Sequence, residues 1–170
     1  MKKVDFVKRS IEKKDLPAIL EANQSGVPEV GSLNKEELGF LIQESCSACL
    51  YETYQASRQH LVGFVIVIPE NSTYKSLNYK WFSERYNKFL YIDRVWVSAE
   101  FRGQGYGRKI YEDLKSMSQT EKLPLLAEVN LEPLNFQSIS FHRALGFKEV
   151  GEGHFENKAV SKVCYFSYNE

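Results

Sequence analysis

The chain has 170 residues, 43% of them hydrophobic and 26% charged, the proportions of one soluble globular domain. At that length about two-thirds of the chain's surface is buried on folding, enough for a core without disulfide or metal staples. Lys plus Arg and Asp plus Glu balance at 22 each, so bulk charge gives no support for binding nucleic acid or a membrane surface. Met1 to Arg9 carries charge without an apolar segment and does not read as a secretory signal. The longest apolar run, Leu61 to Ile68, is too short to span a bilayer. A cytoplasmic protein is the expectation.

In chain order, Val4 to Ile11 alternates apolar and basic residues and reads as a first strand. Asp15, with Pro17 in the first turn, opens a helix through Asn23. Ser25 to Ser32 is a loop by its Gly, Pro and Ser content. Asn34 then caps a second helix, with Glu37 at the capping-box position and Leu38, Leu41 and Ile42 on one face. Cys49 to Gln55 and Leu61 to Ile68 form a hairpin around the turn Ala56 to His60, and Pro69 ends it. Asn71 to Asn87, rich in aromatics and polar residues, reads as a loop with one helical turn over Trp81 to Tyr86. Phe89 to Val97 is a strand. Gly105 to Gln119 is a helix with Tyr106, Ile110, Leu114 and Met117 on its buried face. Pro124 to Asn130 is a strand, and Asn135 caps a short helix through Ala144, closed by Gly146. Phe147 to Gly151 and Lys158 to Tyr168 are two closing strands. The pattern is α/β in class: a mixed sheet of about seven strands, flanked by about four helices.

Of three cysteines, Cys46 and Cys49 form a C-x-x-C. No second pair completes a zinc ligand set, and a redox pair would open a helix, whereas this one closes a helix and opens a strand. The pair reads as small residues packed at an element junction. No metal site is expected.

The chemistry concentrates at Val95 to Arg108. A strand ends, Gly103, Gly105 and Gly107 alternate through a turn, and a helix begins. Glycines let backbone approach a ligand closely. The first N–H groups of a helix lack internal partners and, with the helix dipole, attract an anion. Arg102 and Arg108 add charge, so the stretch reads as a pyrophosphate cradle. A Walker A loop requires Lys where Arg108 stands, and the glycines give G-x-G-x-G rather than the G-x-G-x-x-G of a dinucleotide fold.

Arg102-Gly103-Gln104-Gly105-Tyr106-Gly107 resembles the R/Q-x-x-G-x-G/A signature of the GNAT superfamily of N-acetyltransferases. Asn135 to Phe147 resembles a second signature of that family, N-x-x-[AS]-x-x-[FL]-Y-x-x-x-G-F. The element order is also similar, so the resemblance covers nearly the whole chain. The chain looks closest to a subgroup of small bacterial predicted acetyltransferases. The likeness implies a mostly antiparallel sheet with a central splay and an acetyl-CoA co-substrate. Backbone groups of Val95, Trp96 and Val97 would pair with the pantetheine arm. Arg102, Gly103, Gln104, Gly105, Tyr106, Gly107 and Arg108 would hold the pyrophosphate. Asn135, Ser138 and Phe141 of the second signature would flank the arm. The resemblance also implies a base and a proton donor. Glu128, on the strand facing the splay, is the first candidate for the base and Asp93 the rival, which otherwise reads as half of an ion pair. His142 stands where the family often has a donor Tyr, and it either donates a proton or merely lines the pocket.

The acceptor amine, small molecule or peptide, would meet the segments Asn23 to Asn34 and Gly151 to Lys158. Tyr74, Tyr79, Trp81, Phe82 and Tyr86 either enclose a cationic amine, cover a sheet edge or form a homodimer contact. Glu29 and Glu84 are further candidates to attract an amine. The alternative to an enzyme is a non-catalytic acyl-CoA-binding module of the same fold, which His142 in place of Tyr keeps open.

Overall fold

The computed structural model describes residues 6–55 and 57–169. A seven-stranded sheet runs in the order β1 (Val7–Ser10), β2 (Ser47–Gln55), β3 (Arg58–Pro69), β4 (Leu90–Val97), β5 (Leu125–Glu132), β7 (Lys162–Tyr168), β6 (Lys148–His154). Every neighbouring pair is antiparallel except β4 with β5, which is parallel. A parallel pair needs a crossover, and the β4–β5 crossover is the helix α4 (Tyr106–Glu121).

Among the described residues five α-helices flank the sheet. On one face lie α1 (Leu16–Ser25), α2 (Lys35–Glu44) and α3 (Leu77–Ser83), and on the other α4 and α5 (Phe136–Ala144). The alternation of β4 and β5 feeds both layers. Leu90, Ile92, Leu125, Ala127 and Val129 pack under α4 and α5, while Tyr91 and Leu126 face the other three helices. Ile110 and Leu114 of α4 are at most 3% exposed, so the predicted face is the buried one, and Met117 packs at its edge.

Several boundaries move. The first strand is Val7–Ser10, and Val4 and Asp5 lie outside the described residues. Asp15 sits at the N-cap of α1, yet its carboxylate accepts from Arg9 and from the Glu12 N–H rather than from the helix. The hairpin is tighter than Ala56 to His60: β3 already starts at Arg58, and Ser57 takes φ 63°. The last hairpin is displaced, with β6 reaching His154 and β7 starting at Lys162. The capping box of α2 forms as expected. Asn34 accepts from the Glu37 N–H at 2.9 Å and Glu37 accepts from the Asn34 N–H at 2.8 Å.

The added helix α3 replaces the single turn expected at Trp81 to Tyr86. Ser76 caps it, accepting from the Tyr79 N–H at 3.3 Å. Its aromatics pack onto the sheet: Trp81 stacks on Tyr165 at 4.2 Å, Phe82 meets Tyr91 and Tyr165, and Tyr79 meets Phe89 and Tyr91. No helix among the described residues is long and apolar enough to cross a membrane.

Candidate functional site

The site begins where β4 and β5 part. They pair only at Leu90 with Leu125 and Tyr91 with Leu126, and beyond these they are unpaired. The cause lies on the other edge of β4. Ile66 of β3 opposes Arg94 and Val67 opposes Ile92, so Asp93 is an extra residue, a β-bulge. A bulge bends its strand and strengthens the twist, here at the point where pairing with β5 stops. Unpaired strand edges inside a fold are costly unless something hydrogen-bonds to them, so the gap suits an extended polar chain.

A cleft of about 430 Å³ opens at the gap and reaches both faces of the sheet. From the α4/α5 side it is lined by Tyr111, Ser138 and His142, with Ile92, Val95 and Ala127 between. From the other side it is lined by Asp93, Glu128, Tyr74, Asn78, the loop Pro28–Gly31, and Phe155 and Lys158 of the β6–β7 connection. Both segments expected to meet an acceptor are therefore present. Of the aromatics in the β3–β4 connection only Tyr74 lines the cleft. Trp81 and Phe82 cover the sheet instead, and Glu84 lies outside the lining while Glu29 reaches it.

Two carboxylates form the floor on the α1–α3 side. Glu128 accepts a hydrogen bond from the Tyr91 hydroxyl at 3.0 Å through Oε1, while its buried Oε2 has no hydrogen-bond partner. Burial and then the nearby Asp93 charge push the Glu128 pKa up to about 8, opposed by hydrogen bonds from Tyr91 and Asn78. The Asp93 side chain is 3% exposed and lies 3.0 Å from Arg94 Nε, an ion pair without hydrogen-bond alignment. Burial raises its pKa, and Arg94 and the Tyr74 hydroxyl oppose the shift.

Arg94 is otherwise committed: Nη1 donates to Asn23 Oδ1 at 3.0 Å and to the Gly31 carbonyl at 2.6 Å. From β5, Asn130 donates to the Pro28 carbonyl at 3.0 Å. The loop after α1 is thus tied to both strands across their gap. Gly26 starts that loop hard against Trp96, whose ring would lie 2.8 Å from any Cβ placed there.

The α4/α5 side differs. His142 Nδ1 lies 2.8 Å from the Ser138 carbonyl, an acceptor, so Nδ1 carries the proton. Nε2 must then accept from the Tyr111 hydroxyl at 2.9 Å. Burial lowers the His142 pKa, with the Ser138 bond opposing, and the ring stacks on Phe166. A neutral imidazole with both nitrogens engaged has no proton to spare.

At the end of β4 the glycine turn forms as its spacing predicts. Gly103 and Gly105 take φ +73° and +90°, left-handed values that suit glycine. Gly105 is the N-cap of α4 and provides no side chain, so the N–H groups of Tyr106, Gly107 and Arg108 remain uncapped. Arg102 and Arg108 are exposed beside them, and Arg102 Nε donates to the Val97 carbonyl at 3.2 Å. Two predicted contacts are backbone at most. The Tyr106 ring is buried against Phe6 and Phe101, and Gln104 donates its amide to the Glu100 carbonyl. Trp96 stacks on Phe64, away from the gap. Asn135 caps α5 by accepting from the Ser138 N–H, and Phe141 packs on Tyr111.

The structure therefore brings Asp93, Glu128, Val95, Ser138 and His142 to one cleft, whereas Trp96, Val97, residues 102–108, Asn135 and Phe141 do not line it. Sequence reasoning missed Tyr91, Asn78, Arg94, Asn130 and Tyr111 as lining or partners of the cleft groups. The alternating pattern of β4 was the available signal for Tyr91. Among the described residues no group of His, Cys, Asp or Glu is placed to hold a metal ion.

Residues 18–147 match the family model described as acetyltransferase (GNAT) family. No curated protein matches the sequence. Among solved structures, the Escherichia coli ribosomal-protein-S18-alanine N-acetyltransferase superposes with TM-score 0.70 at 17% identity, over 96% of this chain and 92% of that one. Arabidopsis thaliana NAA60 in complex with a bisubstrate analogue gives 0.75 at 17% identity, over 96% and 97%. An N-acetyltransferase from Staphylococcus aureus gives 0.66 at 17% identity, over 96% and 98%. These likenesses establish the fold.

Proposed function

Because the chain belongs to the acetyltransferase (GNAT) family, we propose that it is an acetyl-CoA-dependent N-acetyltransferase acting on a primary amine. The observation that carries this reading is the parting of β4 from β5, which opens one cleft to both faces of the sheet beside the uncapped start of α4. Gly103, Gly105 and the N–H groups of Tyr106, Gly107 and Arg108 would hold the pyrophosphate, with Arg102 and Arg108 adding charge. The edge of β4 from Val95 to Val97 would pair with the pantetheine arm, flanked by Ser138 of α5. Bound acetyl-CoA supplies an acetyl group activated as a thioester.

On the other face Glu128 fits the general base. A pKa near the working pH best combines basicity with availability, and Oε2 is free to take a proton from an amine in the cleft. Asp93 keeps that pKa high through its charge. His142 holds Tyr111 in place and is a positioning residue, since both of its nitrogens are engaged. The similar S18-alanine enzyme and the bisubstrate complex support an amine acceptor here.

The test is thermal stabilisation by acetyl-CoA, with NAD and ATP as controls, followed by thiol release with amines. A ligand at a hundredfold over its Kd adds about 2.7 kcal/mol. Acetyl-CoA alone should raise the midpoint, and Gly107→Glu should abolish the shift, because a Cβ at that helical position meets only ordinary contacts while its carboxylate opposes the pyrophosphate. No shift at saturating acetyl-CoA refutes the reading. A shift without thiol release from any amine favours the acyl-CoA-binding module.

A further inference from the structure

Glu128 of β5 stands directly opposite Tyr165 of β7 in the antiparallel ladder, so the two side chains share one face of the sheet. The Tyr165 hydroxyl donates to Asn78 Oδ1 at 3.0 Å, in the first turn of α3. The Tyr165 ring has little choice of position. It is 1% exposed, Trp81 stacks on it, Phe82 packs edge-on, and a Cβ at Gly153 of β6 would collide with its hydroxyl. Burial, then the Glu128 charge, push the Tyr165 pKa up to about 12, so the hydroxyl keeps the proton it donates.

A side-chain amide has one accepting oxygen and one donating N–H2. With Oδ1 engaged by Tyr165, the N–H2 of Asn78 is left for the cleft, which Asn78 lines together with Glu128. Asn78 helps to hold the Glu128 pKa down against burial and Asp93, and an amide does so only by presenting its N–H2 to the carboxylate. We propose that Asn78 and Tyr165 are positioning residues for Glu128: Tyr165 fixes the direction of the Asn78 amide, and the amide N–H2 steadies the ionised carboxylate that takes the proton of the amine. The role of that proton rests on the acyl-transfer reading above. Tyr91 grips the same carboxylate from β4, so the base is held from both neighbouring strands and from α3. Tyr91, Tyr74 and Tyr111 also stand near Glu128 with hydroxyls that burial keeps protonated, and Asp93, beside Arg94, is the neighbouring charge. Glu29, His142 and Lys158 complete the titratable lining of the cleft.

The experiment uses four proteins: unmodified, Asn78→Leu, Tyr165→Phe and both changes together. Leu keeps the size of Asn and Phe keeps the stacked ring, so the hydrogen bonds alone are removed. Each protein is compared with its Glu128→Gln counterpart. The pH at which the gain in thermal midpoint levels off reports the folded-state pKa of Glu128 without turnover. The rising limb of kcat/KM with an amine reports it in the reaction. Asn78→Leu should move both to higher pH by about one unit, the scale of one hydrogen bond to a charged group. Tyr165→Phe should move both the same way by a smaller amount. The combined variant should move no further than Asn78→Leu, because the effect of the hydroxyl passes through the amide. An unmoved level-off pH in either single variant overturns the inference, even where kcat falls, since packing alone would then explain the loss. Additive shifts also overturn it, because Tyr165 would then act on Glu128 directly. No thiol release from the unmodified protein refutes the acyl-transfer reading alone, and the level-off values still decide this inference.

Discussion

The two sides of the β4–β5 gap bury polar groups in opposite ways. On the α4/α5 side the polar atoms are matched in pairs: Tyr111 to His142, and His142 to the Ser138 carbonyl. On the α1–α3 side Glu128 keeps a buried oxygen without a hydrogen-bond partner, and Asp93 Oδ2 has only the poorly aligned ion pair with Arg94. Folding alone favours the first arrangement, because an unsatisfied buried polar group costs about 1–3 kcal/mol. The contrast sets a buried histidine satisfied by its neighbours against a buried glutamate oxygen that the fold leaves unmatched.

The contrast is broken most directly by exchanging its members. Glu128→Gln should lower kcat at least about a hundredfold, the usual scale of a lost general base, while acetyl-CoA still raises the thermal midpoint. The same change should stabilise the free protein at alkaline pH. The folded-state pKa of Glu128 lies above the ordinary value of 4.5, so ionising it costs stability progressively as pH rises from 4.5 through about 8. Gln removes that cost, and the gain in midpoint should be absent at pH 4 and largest above pH 8. An inactive variant whose gain over the unmodified protein is no larger at pH 9 than at pH 4 would show that Glu128 is not strained in the way described.

His142→Phe should do the reverse. It leaves the Tyr111 hydroxyl without its partner and should destabilise by about 1–3 kcal/mol, with kcat changed no more than threefold. A hundredfold loss of kcat with stability intact would return His142 to the role of proton donor. The smallest effect sharpens the assignment of the base. With an acceptor present, kcat/KM should rise with pH through about 8, the range of Glu128 rather than that of a histidine whose pKa burial has lowered. Asp93→Asn removes a neighbouring negative charge, so the same limb should move to lower pH. A limb that stays put in that variant assigns it to another group.

Local chemistry made part of this molecule legible. The glycine turn, the capping box at Asn34 and Glu37, and the buried face of α4 each depend on residues within a few positions of one another, and each formed. Glu128 was named through the family resemblance, as the acid of the predicted strand Pro124 to Asn130, and it lines the cleft. The helix α3 was not legible, because its aromatics serve a sheet built from β4, β5 and β7 and carry no amphipathic period of their own. The bulge at Asp93 was equally hidden: an extra residue in a strand is defined by its partner across the ladder, not by its own sequence. The fate of His142 was decided by Tyr111, 31 residues away on another helix.

The loop after α1 has a mechanical consequence. Arg94 grips its Gly31 carbonyl from β4, and Asn130 grips its Pro28 carbonyl from β5. The four residues Pro28 to Gly31 therefore act as a tie-rod between two strands where no ladder joins them. The breadth of the opening and the position of the loop become a single degree of freedom. Any ligand that displaces the loop must spread or tighten the strands that flank the cleft.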